Sequence, residues 1–373
     1  MTHKTTLALA IAAALAGSGS AWAQEQDQAM ALEEVLVTAT KRETTIMDAP
    51  ISVEAFSGDK IEQANLTDMA DLATGVANMN ISTEAQVSNP IFIRGIGSGT
   101  DRGLEQSVAL YVDGVYMPRS RQMNAAFFDM ERVEVLRGPQ AVLFGLNATA
   151  ATVSITSRRT LPGEEFNLEV FGDYEFEYGG VRVGAIASGS MGDSVGYRIA
   201  ARTSDTGDGY YYNHYSGQDE NSTEEDLIRA MFVWEPNDRL DIDFKIEYMQ
   251  SEMDGIQGEA FGVPGSPVVE SGLNWERNTE TNFIDILTPG EQFGFDMESL
   301  NTMLNIDYQI GDGTLTALFG YTDFEYQHRI EVVGWALPMF VGYNNEDFDQ
   351  LSAEIRYSSA VDRKVSYIVG LYA

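Results

Sequence analysis

Side chains able to do covalent chemistry are scarce in this 373-residue sequence. There is no cysteine, which excludes disulfides, thiolate zinc sites and thiol nucleophiles. Histidine occurs only as His3, His214 and His328. None lies in an H-E-x-x-H zinc pattern, and a Ser-His-Asp triad would have only His214 or His328 to use. Gly95-Ile-Gly-Ser-Gly99 lacks the third glycine of a dinucleotide loop, and no P-loop Lys-Ser/Thr follows it. Ser98 is no nucleophile elbow, because Ile96 stands where the elbow needs glycine. Asp205, Asp208, Asp219, Glu220 and Asp226 have two readings, Ca²⁺ ligands or a solvated acidic surface. The expectation is a protein that binds and moves something: no enzyme, no catalytic residue, no cofactor and no resident metal.

Charge narrows the partners. The chain has 57 acidic and 23 basic residues, net −34. Nucleic acid is excluded as a partner, since its binding draws on Lys and Arg neutralising phosphates. The imbalance is uneven: residues 45–160 hold 9 basic and 13 acidic residues, net −4, whereas residues 161–373 hold 11 and 39, net −28. Two units in different surroundings are expected.

The elements that must position any site begin with an address. Lys4 precedes the small-apolar run Leu7–Ala16, a Gly-Ser break follows, and Ala21-Trp22-Ala23 supplies small residues before a cleavage point. Residues 1–23 therefore read as a secretory signal peptide, too short to span a bilayer. With no other apolar run of membrane-helix length, any membrane insertion must use β-strands. Residues 24–44 form an N-terminal extension containing Glu33-Glu-Val-Leu-Val-Thr-Ala-Thr40. That run has two readings: a strand that adds to another protein's sheet edge, or the first strand of the next domain.

Residues 45–160 read as a mixed α/β domain. Ile51–Phe56, Ile91–Gly95, Val108–Val112, Arg132–Leu136 and Thr152–Thr156 are strand candidates, and Asp113-Gly114 is a hairpin turn. Thr67 is the expected N-cap of a short helix ending before Gly75.

Residues 161–373 carry nine amphipathic strand candidates: 166–175, 181–190, 195–203, 224–234, 240–249, 299–309, 314–326, 348–357 and 365–373. Leu300, Thr302, Leu304, Ile306 and Tyr308 alternate with Asn301, Met303, Asn305 and Asp307. Short turns alternate with long insertions at about 204–223, 250–298 and 327–347, the pattern of a transmembrane barrel. Nine strands cannot close such a barrel, since antiparallel single-chain bacterial barrels have even strand numbers. The chain accordingly reads as the N-terminal part of a longer, truncated barrel protein, unable to transport anything alone.

Four elements resemble one family. Asp129-Met-Glu-Arg-Val-Glu-Val-Leu-Arg-Gly-Pro-Gln-Ala-Val-Leu-Phe-Gly-Leu-Asn-Ala-Thr149 is similar to the plug signature of TonB-dependent outer-membrane receptors. Ile93-Arg-Gly-Ile96 resembles their I-R-G element, Tyr111-Val-Asp-Gly-Val115 their D-G-V turn, and Glu33–Glu43 their TonB box. Ala141, Leu146 and Ala150-Ala151 depart from the family pattern. The resemblance implies a mixed α/β plug followed by part of a 22-stranded antiparallel transmembrane β-barrel in the outer membrane of a Gram-negative bacterium. It implies energised uptake of a scarce ligand, a ferric siderophore in the family's commonest case. Cobalamin, haem or a glycan are alternatives, as is a passive plugged pore or adhesin. Its partners would be TonB with its inner-membrane energising complex, outer-membrane lipid and the ligand. By family position, Glu33, Glu34, Val35, Leu36, Val37, Thr38 and Ala39 would bind TonB. Ser98, Arg102, Tyr116, Arg119 and Arg121 would face the ligand, although those cations have the plain reading of solvated loop tips. Arg94 and Arg137 would latch the plug to carboxylates on the barrel wall.

Overall fold

A computed structural model of the chain describes residues 36–37, 41–42, 44–45, 51–66, 68–81, 90–98, 106–122, 127–145, 147–209, 211–213, 218–255, 293–331, 341–361 and 363–373. The expected signal peptide, Glu33, Glu34, Val35, Thr38, Ala39, Arg102 and most of the long insertions lie outside the described residues. Among the described residues no helix is long and apolar enough to cross a membrane, which says nothing of crossing by strands.

At the start, β1 (Leu36–Val37) pairs antiparallel with β2 (Thr44–Thr45), Leu36 opposite Thr45. The segment is therefore neither unpaired nor part of the following domain's sheet. It closes on the chain just after itself.

The first unit contains β3 (Ser52–Ser57), α1 (Gly58–Gln63), α2 (Met69–Gly75), β4 (Met79–Ile81), β5 (Ile91–Ile93), β6 (Ile96–Gly97), β7 (Val108–Val112), β8 (Val115–Met117), β9 (Met130–Arg137), α3 (Ala141–Phe144) and β10 (Ala151–Ser157). Its main sheet has the order β3-β9-β10-β7-β8, with β10 and β7 parallel and the other pairs antiparallel. The apolar runs Val108–Val112, Val133/Val135 and Val153/Ile155 are buried, as a strand covered on both faces requires. β4, β5 and β6 form a smaller sheet. The helix expected from Thr67 is capped by Asp68, whose carboxylate accepts the Asp71 amide at 2.7 Å, and Gly75 is its last residue. The six-residue α1 and four-residue α3 are too short for a helical period to show in sequence.

The second unit is one antiparallel sheet of nine strands. They are β11 (Asn167–Tyr174), β12 (Gly179–Met191), β13 (Val195–Gly207), β16 (Thr223–Asn237), β17 (Leu240–Asp254), β18 (Gly294–Ile310), β19 (Gly313–Glu331), β20 (Val341–Ser358) and β21 (Ile368–Tyr372). Between β13 and β16, β14 (Tyr211–Asn213) and β15 (Gln218–Glu220) pair as a hairpin. All nine expected strands are present, but β16 to β20 run 15 to 19 residues. The alternation visible in sequence fades where outward positions turn from apolar to acidic, yet neighbouring backbones keep pairing because exposed acids do not interrupt the ladder.

The faces of this sheet are inverted relative to a soluble protein. On β17, Phe244, Ile246 and Tyr248 point out and are exposed, while Asp243, Lys245 and Glu247 point in and are buried. An apolar outer band with a polar interior is the arrangement of a membrane barrel. The end with short turns at 192–194, 238–239, 311–312 and 359–367 is the lower end, and the end carrying the long insertions is the upper end.

Candidate functional site

The first unit lies on the inward face of the second through buried ion pairs. Asp129, at the entry to β9, receives a two-pronged bond from Arg198 of β13 (Nε to Oδ2 2.7 Å, Nη2 to Oδ1 2.6 Å), and both side chains are buried. Arg229 of β16 donates to the Phe128 carbonyl (2.5 Å) and to Glu247 (2.5 Å). Below them, Arg159 forks onto Asp241 (2.9 Å) and Asp243 (3.0 Å).

The hairpin of β7 and β8 turns at Asp113 (φ 49°) and Gly114 (φ 82°), the two left-handed positions of the tight turn that Asp-Gly favours. Its tip rests on the wall. Lys245 donates to the Asp113 carboxylate at 2.5 Å, and the Ser157 amide and hydroxyl donate to it at 2.7 and 2.8 Å. Burial pushes the Asp113 carboxyl up, but Lys245 and the Ser157 bonds outweigh it and hold the group below the ordinary aspartate value. Beside the tip, Val115 and Met117 share one apolar cluster with Met231, Met303 and Leu318 of the wall. Gly320 leaves room for that approach, since a Cβ there would stand 2.5 and 2.8 Å from the Val115 methyls.

β8 then climbs to the upper end. The Tyr116 carbonyl accepts Gln350 Nε2 at 3.0 Å, and its hydroxyl meets Asn147 Nδ2 at 2.6 Å. Arg119 and Arg121 both pair with Glu346 of β20, one on each carboxylate oxygen. Arg121 lies 4.1 Å from the centre of the Tyr326 ring, and Arg119 5.7 Å from that of Phe348. Phe295, Phe324 and His328 extend this aromatic wall. Two expected ligand-facing residues, Arg119 and Arg121, are thus brought together and are paired rather than free in solvent, whereas the Tyr116 ring packs 5.5 Å from that of Tyr111. Ser98 stands apart, bonded to Ser107 (3.0 Å).

Arg94 and Arg137, expected to latch the plug to the wall, have these surroundings among the described residues. Arg94 (φ 54°) sits with Gly95 (φ 76°) at the tip of the β5–β6 hairpin, which points its side chain into solvent. Arg137 pairs with Glu54 of β3 (3.0 Å), its diagonal neighbour in the same sheet, and donates to the Ala77 carbonyl (3.3 Å). Among the described residues neither meets a carboxylate of the nine-stranded sheet. Arg198, Arg229 and Lys245 hold the units together instead. Their signal in sequence was parity: each is a base at an inward register position between apolar outward neighbours. The Ca²⁺ reading gains nothing. Asp205 bonds the Gly207 amide (2.7 Å), and among the described residues no three acids converge as metal ligands.

At the lower end, the residues after β1 are pinned. Lys41 reaches Glu354 of β20 (3.2 Å) and lies 5.4 and 5.0 Å from the Tyr111 and Phe144 ring centres, and Arg42 donates to the Tyr367 carbonyl (2.6 Å). Burial pushes the Lys41 ammonium below the usual lysine value, with Glu354 opposing it. A cleft of about 780 Å³ starts there and runs upward between the two units, lined by Arg159, Asp241, Asp243, Asn305 and Asp307.

Residues 45–152 match the family described as TonB-dependent receptor plug domain. The chain belongs to the TonB-dependent receptor family. The vitamin B12 transporter BtuB of Vibrio vulnificus is 24% identical over 91% of this chain and 55% of its own length. The hemin receptor of Yersinia enterocolitica is 26% identical over 39% of this chain and 22% of its own. The ferric yersiniabactin uptake receptor FyuA of Yersinia pestis superposes with a TM-score of 0.70 at 19% identity, over 86% of this chain and 48% of its own, and so shares the fold. The chain spans about half the length of these longer matches. The first unit is thus a plug, and the nine strands are part of a receptor barrel.

Proposed function

We propose that this receptor takes up a scarce ligand across the outer membrane of a Gram-negative bacterium, driven by TonB, with a ferric siderophore as the cargo. The observation that carries this reading is the division of one lumen into three levels along the plug. At the top, the partly exposed Arg119, the buried Arg121 beside it and an aromatic wall offer charge and π faces to a polar, metal-bearing ligand. In the middle, ion pairs join the plug to the wall. At the bottom, a short strand is held at the rim, where a partner from the periplasm would reach it. The ferric cargo of the Yersinia pestis relative agrees with that chemistry.

In this reading Arg119 and Arg121 with Tyr326 and Phe348 orient the ligand, and the apolar outer band meets lipid. TonB pairs with residues 33–39 by adding a strand to Leu36–Val37. Val37→Pro removes an amide donor from that strand. The expected result is loss of iron-limited growth on ferric siderophores with surface binding retained. Unchanged uptake would mean that residues 33–40 are a linker. Growth restored by haemin or cyanocobalamin, and by no ferric siderophore, would reassign the cargo.

A further inference from the structure

The lower cleft is blind, and what closes it is small. Its walls are the plug on one side and the β16–β20 wall on the other, and its lower mouth is ringed by the short turns at 238–239, 311–312 and 359–361. Its upper limit is set by Asp113, Gly114, Met231, Met303 and Leu318. Those residues are where the β7–β8 hairpin touches the wall, through the Asp113–Lys245 ion pair and the apolar contact of Val115 and Met117, with the Gln350–Tyr116 bond just above. Above the hairpin, β8 leads directly to the arginines at the upper end.

We infer that this cleft is the exit half of the transport path and that the Asp113-Gly114 hairpin, held by Lys245, is the lid between it and the upper chamber. This rests on the uptake reading above but names the side of the plug and the element that moves. The chemistry fits passage of a hydrated solute. The walls carry carboxylates, guanidinium, amide and hydroxyl groups, with Arg159, Asp241, Asp243, Asn305, Asp307 and Thr316 among them, so both signs of charge are present beside the apolar Phe144, Leu240, Met231, Met303 and Leu318. The lid is suited to moving as a unit. It is a two-stranded hairpin at the edge of the plug sheet, so swinging it inward breaks the β7–β10 edge of the ladder, the Ser157 bonds to Asp113, one wall ion pair, the Gln350–Tyr116 bond and the apolar contact of Val115 and Met117. The alternative, withdrawing the whole plug, must also break Asp129–Arg198, Arg229–Glu247 with its carbonyl bonds, and Arg159–Asp241/Asp243.

The test uses the absence of cysteine in the chain and a large hydrophilic antibiotic, vancomycin, as a probe of passage. Lys245→Met removes the ammonium and keeps the stem. Asp113→Asn is the milder second variant, since an amide still bonds Lys245 and Ser157. Each is made in the full receptor and in cells lacking TonB, with the heat-modifiable outer-membrane band as the check on folding. Val115→Cys with Gly320→Cys then places two Cβ atoms within disulfide reach across the lid and wall. The expected result is a several-fold rise in vancomycin sensitivity for Lys245→Met and a smaller one for Asp113→Asn. Oxidising the cysteine pair should cancel both, and reductant should restore them. Leakage that persists with the lid cross-linked would place the path elsewhere. Normal impermeability of both single variants, with the folded band present, would remove the lid role. Because leakage needs no TonB, these outcomes are independent of whether Val37→Pro stops uptake.

Discussion

Arg198→Met tests how the plug is held. Arg198 and Asp129 are a bidentate pair with side chains 7% and 2% exposed, so the bond is charge-assisted and little screened. Removing the guanidinium leaves the Asp129 carboxylate buried. Arg229 lies beside it and directs donors to the Phe128 and Asp129 carbonyls and to Glu247, so these partners compete with the orphaned oxygens for it. Breaking a buried pair from one side costs about 3–5 kcal/mol. At about 1.4 kcal/mol per factor of ten, the plug's docking equilibrium should fall roughly a hundredfold to a few thousandfold. Asp129→Asn together with Arg198→Met should recover most of that loss, because no uncompensated charge remains. The assay is amide hydrogen exchange at Val133, Val135 and Val153 in the full receptor in detergent, where β9 and β10 report release of the plug sheet. The reasoning fails if the single variant changes protection by less than about 0.5 kcal/mol, or if the double variant is no better than additive.

Two further outcomes follow from charge. The Asp113 carboxyl is held below its ordinary value of about 3.9, so its stabilisation is complete above that pH and is lost as pH falls through the lower folded value. Plug protection should therefore be flat from neutral pH to about pH 5 and decline only below about pH 4, a decline that Asp113→Asn makes shallower; a loss already complete at pH 5 would contradict the assignment. On the outer face, Glu298, Glu325 and Asp347 stand directly opposite one another on β18, β19 and β20, and like charges so placed are destabilising. Glu325→Gln should raise the barrel's melting transition by an amount worth roughly 0.2–1 kcal/mol at low salt and less at high salt; a lowered or salt-independent transition would refute it.

The strands were legible because a wall between lipid and a polar lumen writes its two faces into alternate residues, as Leu300 to Tyr308 show. The Asp113-Gly114 turn was legible because both positions need the left-handed region. Other features depended on register. Nothing local to Glu346 marks it as the partner of Arg119 and Arg121, more than two hundred residues away; that pairing exists only once β20 is aligned with β19 through eighteen residue pairs. Arg137 shows the same dependence on register. A motif arginine is as easily satisfied by a neighbour in its own sheet, such as Glu54, as by a distant wall. Lys41 and Arg42 fall within the run that resembles the TonB box, and their places at the rim come from Glu354 and the Tyr367 carbonyl.

The charge imbalance between the two units also acquires a structural meaning. Residues 161–373 carry net −28, yet the wall meets the plug's Asp113 and Asp129 with Lys245 and Arg198. The pairs alternate in sign with height. Lowest, a base next to the plug, Arg159, meets wall acids Asp241 and Asp243. In the middle, plug acids meet wall bases. At the top, plug bases Arg119 and Arg121 meet the wall acid Glu346. Inward positions on one strand repeat every two residues, about 7 Å. Sliding the plug by that distance would set Arg159 against Lys245 in place of Asp243. A uniform attraction between an acidic wall and a basic plug would tolerate such a slip, whereas alternating layers turn each slip into a like-charge contact. The ion pairs therefore fix the one register in which the plug sits against the wall.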